Sequence, residues 1–179
     1  MRRTVGAVAL LGMLFAACTP EAVLPTAPPS PPVSQSPTET AQERQERLDY
    51  AAAEKSYRTF RAEYNRVLRA GGAKEPTKVM KATAGGKYLE ELMEIVHAAK
   101  GLGDHQEGNE KVIFVRPGGY SSTELSLEVC EDTRATRVVD AEGKELGRGE
   151  LRTASLLVKS VDGHWKVWSG QGKKVNSCA

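Results

Sequence analysis

The sequence predicts an α+β domain in which about three N-terminal helices pack on one face of a curved antiparallel sheet of about four strands. Two observations carry this expectation. Tyr50, Ala53, Tyr57, Phe60, Tyr64 and Val67 recur at alternating spacings of three and four, which places them on one stripe of a helix. After Gly108 the period changes to two: Leu125, Leu127 and Val129 alternate with Glu124, Ser126 and Glu128, the pattern of a strand with one buried face. Helices first and strands afterwards is an α+β order.

Ahead of that domain, residues 1 to 17 read as an export signal. Arg2 and Arg3 give a charged start, residues 5 to 17 are uncharged, and Phe15-Ala16-Ala17 puts small residues before Cys18. A bilayer-crossing helix needs about 20 apolar residues, so this run is too short, and the Pro-rich continuation from Thr19-Pro20 cannot extend it. The stretch resembles the bacterial lipobox, in which a small-residue pair precedes a cysteine that is diacylated on sulfur and becomes the mature N-terminus. Phe15 stands where leucine is commonest, with Leu14 one place early. The resemblance implies lipid attachment at Cys18; ordinary signal-peptidase cleavage and an uncleaved anchor are the alternatives.

Residues 19 to 40 hold seven of the nine prolines and no aromatic residue, so they cannot build a core and are expected to form an extended, disordered tether. At about 3.1 Å per residue such a spacer reaches roughly 70 Å. The expected divisions are a signal peptide at 1–17, a lipidated cysteine and tether at 18–40, and one α+β domain at 41–179.

Charge and cysteine content narrow the class. The chain has 25 basic and 23 acidic residues, and Arg2 and Arg3 account for the whole surplus. A mature chain without net charge offers no basic surface for nucleic acid, and contact with a membrane would run through the lipid. Of three cysteines, acylation of Cys18 leaves an even pair. Cys130 and Cys178 are then expected to form a disulfide, as suits an extracytoplasmic, cell-membrane address, the alternative being two buried free thiols. Their spacing excludes a CxxC redox or zinc motif.

Within the domain, Thr40 and Glu43 have the spacing of a capping box and Gly71-Gly72 is a stop, so the first helix spans about 30 residues, its first two turns projecting beyond the core. Residues 71 to 76 make a turn, 77 to 84 a short helix, and Gly85-Gly86 interrupts it. Tyr88, Leu89, Leu92, Ile95, Val96 and Ala99 form the apolar face of a third helix, which Gly101 and Gly103 end. Strands are expected at 112–115 and 125–129, separated by a turn at Pro117-Gly118-Gly119. Cys130 shares parity with the polar side of its strand, which puts the bridge at a sheet edge or on the outer face, tying down the C-terminal tail. A turn at 140–144, a strand at 151–161, and a hairpin turn at Asp162-Gly163 leading into 164–169 complete the set.

The aromatic-striped first helix, Cys130-Glu131-Asp132 after a strand, Asp162-Gly163-His164-Trp165-Lys166-Val167 as a terminal hairpin and the late Cys178 together resemble actinobacterial lipoproteins with an NTF2-like (SnoaL-like) cone domain. The resemblance covers nearly the whole mature chain and implies a cone-shaped pocket between helices and sheet. It does not imply one activity, because such folds host enzymes, binding modules and accessory domains. In a cone, Tyr57, Phe60, Tyr64, Tyr88 and Trp165 would face the same interior, either filling it or lining a ligand pocket with their hydroxyls.

Residue chemistry adds little. His97 is expected to be a partly buried helix histidine; Asp104, His105 and Glu107 fall in a Gly-flanked loop whose default is solvation rather than metal binding; His164 is expected to be exposed. Ser169-Gly170 lacks the context of a nucleophile elbow, and Gly85-Gly86-Lys87-Tyr88 lacks the features of a phosphate-binding loop. Asp132 and Asp140 read as turn residues. The expectation is therefore a membrane-anchored, non-enzymatic binding or accessory domain, without cofactor or metal, whose partner is an envelope or membrane protein. The alternative is a small-molecule-binding or dehydratase/isomerase-like protein using the aromatic cone.

Overall fold

The computed structural model describes residues 39 to 178. The signal at 1–17, Cys18 and the tether up to residue 38 lie outside the described residues.

Helix α1, Ala41–Arg69, starts on the expected capping box. Glu43 N–H donates to Thr40 Oγ1 at 3.1 Å, and Thr40 N–H donates to Glu43 Oε2 at 2.8 Å, which satisfies two of the helix's orphan donors. All six residues of the stripe are buried, beginning at Tyr50, so the turns before it lie outside the core. Gly71 and Gly72 end the helix with φ of 78° and 74°, and Gly72 N–H donates to Val67 O at 3.0 Å. Helix α2, Lys78–Thr83, is capped by the Thr77 hydroxyl. Helix α3, Gly86–Leu102, ends at Gly103 with a left-handed φ of 80°.

Two positions on α3 differ from expectation. Ile95 is 51% exposed, and His97 is exposed rather than partly buried, because the buried face has narrowed to Met93 and Val96 with Leu89, Leu92 and Ala99 flanking it.

The strands are β1 (His105–Glu107), β2 (Lys111–Tyr120), β3 (Glu124–Asp132), β4 (Arg137–Val139), β5 (Glu145–Arg148), β6 (Leu151–Val161) and β7 (His164–Lys174). β2-β3-β6-β7 is the four-stranded antiparallel sheet foreseen; β1-β4-β5 forms an additional three-stranded one. Its strands are three or four residues long and rich in charge, too short for alternation to reveal them. His105 and Glu107 accordingly sit in β1, paired with Val139 and Arg137, and not in a loop.

Pro117-Gly118-Gly119 is not a turn. It lies within β2, where the register shifts between Pro117 and Tyr120, and the chain reverses at residues 121–123 instead, with Ser121 bonded to Glu124. The sequence tolerates this because β2 is an edge strand, the place in a sheet where proline is accommodated, and a bulge absorbs the extra residue. The Asp162-Gly163 hairpin has positive φ at both residues, 52° and 74°, the twist that matches a two-residue antiparallel connection.

Cys130 and Cys178 are bridged, with Cα atoms 6.0 Å apart. The bridge is on the outer face, as its parity requires, but not at an edge, since β3 is an interior strand of the sheet. Val175 N–H donates to Leu151 O, after which the tail crosses β6 to reach Cys130 and buries it completely. On the opposite face, Leu127, Val129, Val158 and Val167 meet Tyr57, Phe60, Met80 and Val96 in one core.

The edge of β7 is partly covered. Ala84 bridges Val167 and Gly85 N–H donates to Val167 O at 2.9 Å, so the α2–α3 junction lies against the strand with the Trp168 indole beneath it. Gly86 has a φ of 51°, and a Cβ there would stand 2.7 Å from indole atoms Cε2 and Nε1. The left-handed backbone and the overpacking act together, so Gly86→Ala is expected to cost about 2 kcal/mol, read as a lower midpoint in urea unfolding. An unchanged midpoint would refute both the backbone strain and the overpacking.

Candidate functional site

Tyr57 and Arg61 are one helical turn apart on α1, and both reach a charged cluster at one end of the core. The Tyr57 hydroxyl donates to the Glu131 carboxylate, in a buried hydrogen bond. Arg61 Nε lies 2.9 Å from Glu110 Oε1 and 3.0 Å from Glu131 Oε1, and Nη2 makes a second bond to Glu110. The side chains of Arg61, Glu110 and Glu131 are 12%, 4% and 12% exposed. Removing such charges from water costs several kcal/mol per ion, so they persist only where each is paired. That condition is met: no buried side-chain nitrogen or oxygen among the described residues lacks a partner.

The surroundings fix the protonation of Arg61 and of the tyrosines around it. Burial alone would lower the Arg61 pKa, but Glu131 and Glu110 outweigh it and raise it, which makes the guanidinium a fixed positive charge. Burial, then the Glu131 charge, pushes the Tyr57 phenol up, so it remains a donor. Burial also raises Tyr88, and lifts Tyr64 to about 12 against the pull of Arg61, whose guanidinium lies 5.1 Å from the Tyr64 ring centroid.

Beside this cluster is a cleft of about 150 Å³. Arg61, Glu131 and Tyr88 form its inner part, with Leu92 and Leu156 among its walls. Glu91 and Arg152, whose side chains are 52% and 48% exposed, stand at its mouth. Of the aromatic residues singled out in the sequence, Tyr88 lines this cleft. Tyr57, Phe60 and Tyr64 pack in the core behind it, with the Phe60 ring 5.2 Å from that of Tyr88 and 6.0 Å from that of Tyr64.

Trp165 packs in the same core but at its other end. Its Nε1 donates to Asp49 Oδ1 at 3.2 Å, and the Tyr120 hydroxyl donates to Asp49 Oδ2 at 2.7 Å, a bond that lifts the Tyr120 phenol to about 12. Tyr50 stacks obliquely on Tyr120 at 5.8 Å and donates to Gly118 O. Asp49 and Arg61 are about 18 Å apart along the helix axis, so this aromatic clamp closes the far end of the core from the charged cluster.

The remaining candidates are dispersed. His97 and His164 are exposed, and His105 Nε2 lies 3.7 Å from Glu107, which is paired with Arg137. Asp132 ends β3 beside Arg134, whose hydrogen bonds hold its carboxyl at about 2, and Asp140 accepts the backbone N–H groups of Glu142 and Lys144 in a turn. Among the described residues no group of three His, Cys, Asp or Glu side chains is close enough to hold a metal ion, and no helix is long and apolar enough to cross a membrane.

Sequence reasoning missed Arg61, Glu110 and Glu131. One signal was available: Glu131 continues the parity of Leu125, Leu127 and Val129, so a carboxylate was due on the buried face of β3 and needed a buried partner. Arg61 follows Phe60 at the border of the helical stripe, and nothing local marks Glu110.

No family model matches the chain, and no curated protein matches it. Solved structures do. The intermembrane space region of the chloroplast protein ARC6 is similar at a TM-score of 0.52 and 13% identity, over 70% of this chain and 97% of that one. A protein of the NTF2-like family from Streptomyces avermitilis (TM-score 0.46, 10% identity, 73% and 99% covered) and an NTF2-like protein with a cystatin-like fold from Novosphingobium aromaticivorans (0.42, 9%, 80% and 95%) are also similar. At these identities the likeness concerns fold alone. The fold is α+β, three helices packed against antiparallel sheet.

Proposed function

We propose that this chain is an exported lipoprotein, held to the membrane through a diacylated Cys18, with residues 19 to 40 as a spacer and residues 41 to 179 as a non-enzymatic binding or accessory domain. The observation that most supports this reading is the filled interior. Tyr57, Phe60 and Met80 are fully buried in that interior, and Arg61, Glu110 and Glu131 are paired with one another rather than held open for a ligand. A surface then remains as the working part, and an envelope or membrane protein within reach of the tether as its partner.

Two measurements test it. Cys18→Ser is expected to move the protein from the membrane fraction to the soluble fraction, whereas unchanged, salt-resistant membrane association would refute anchoring through lipid. In pull-downs from membranes, the full chain and the chain lacking residues 1 to 40 are expected to retain the same partner. Retention by the full chain alone would assign the interaction to the anchor and overturn a binding role for the domain.

The cleft beside Tyr88 favours a second reading, in which the domain binds a small molecule. At about 150 Å³ it is smaller than the roughly 300–1,000 Å³ of ordinary ligand pockets, so the occupant would be small. Dehydratase- or isomerase-like chemistry belongs to this second reading.

A further inference from the structure

We propose that the cleft beside Tyr88 takes a small free α-amino acid as its zwitterion, an inference that rests on the second reading above and names its ligand class.

The space is built by omitted side chains. Gly170 and Gly172 lie two apart on the inner face of β7, opposite Leu156 and Ala154 of β6. A Cβ on Gly170 would stand 2.7 Å from Leu156 Cδ2 and 3.5 Å from Tyr88 Cδ2, and one on Gly172 would stand 3.3 Å from Arg152 Nη2. Larger residues at these positions would occupy the cleft. A cavity of about 150 Å³ holds benzene, and alanine has about the same number of non-hydrogen atoms.

Its polar groups have both signs. Glu131 Oε1 receives the Tyr57 hydroxyl and Arg61, while Oε2 has no protein donor among the described residues. Because no sealed polar atom is left without a partner, Oε2 is open to the cleft that Glu131 lines. Beside Glu131, as its direct cross-strand neighbour on β6, is Arg152, whose carboxylate partner Glu150 is 3.7 Å away, and Tyr88 of α3 lines the same cleft. Arginine binds a carboxylate through two parallel N–H bonds, and a carboxylate oxygen accepts from an ammonium. A simple cation would stand against Arg152 and a simple anion against Glu131. A molecule carrying ammonium and carboxylate on one carbon complements both, with Leu92 and Leu156 left for a short apolar side chain.

Isothermal titration of the full chain in detergent with L-alanine, propanoate and ethylamine separates the alternatives. L-Alanine is expected to bind about tenfold or more tightly than either single-charge analogue. Arg152→Gln is expected to weaken L-alanine by about tenfold without weakening ethylamine, and Gly172→Val to abolish binding. Propanoate or ethylamine binding as tightly as L-alanine, or indifference to Arg152→Gln, would overturn the amino-acid assignment; loss on Gly172→Val would in that case leave the cleft as a small-ligand site. Silence from all three probes also overturns the assignment. The small-ligand reading then falls separately if native mass spectrometry of the chain isolated from membranes shows no bound mass that Gly172→Val removes.

Discussion

Replacing Arg61 with alanine is expected to destabilise the fold by about 3–5 kcal/mol, read from the urea midpoint at a constant slope. The variant strands Glu110 and Glu131, whose side chains are 4% and 12% exposed, without the guanidinium that pairs with both. It also removes the aliphatic stem of Arg61 from beside Tyr64. The loss comes mainly from the unpaired charges and not from the net contribution of the pair. Replacing Arg61, Glu110 and Glu131 together by apolar residues of similar volume, in a Tyr57→Phe background so that no buried hydroxyl is orphaned, is therefore expected to be close to neutral. A triple variant as unstable as Arg61→Ala would show that the cluster itself is strongly favourable.

Removing the disulfide is expected to cost about 4 kcal/mol, because Cys130 and Cys178 close a loop of 48 residues whose freedom in the unfolded chain the bridge restricts. The double variant Cys130→Ala, Cys178→Ala should show this as a lower urea midpoint than the oxidised protein. The tail beyond Val175 should also lose amide protection, since Cys178 is its tie to the sheet's outer face. A midpoint lowered by less than about 1 kcal/mol would mean that the unfolded chain already keeps these segments together.

The two expectations concern residues of different legibility. The cysteines could be paired by counting, and the parity of Cys130 put the bridge at a sheet edge or on the outer face; that β3 is interior, which leaves the outer face, required the strand order. Tyr88 was marked by its helical stripe, and it lines the cleft. Glu131 was partly legible as a charge on the buried parity of β3. Arg61 and Glu110 were not, because they are 49 residues apart and their pairing depends on how α1 lies against the sheet. The role of Gly170 and Gly172 in leaving space was not legible either, Gly170 reading only as part of a nucleophile-elbow pattern. In sequence they look like a strand end, while in the fold they lie within β7 and leave room beside Tyr88.

By itself the sequence determined the order of helices and main strands, the capping box, the hairpin turn and the aromatic face of α1. Each of these depends on periodicity or turn chemistry within a few neighbouring residues. Tertiary structure decided which aromatic residues fill the core and which one borders a cleft, how three charges survive burial, and where the second sheet forms. Those outcomes depend on contacts across tens of residues, where a carboxylate on a strand becomes tolerable only once packing brings a guanidinium against it.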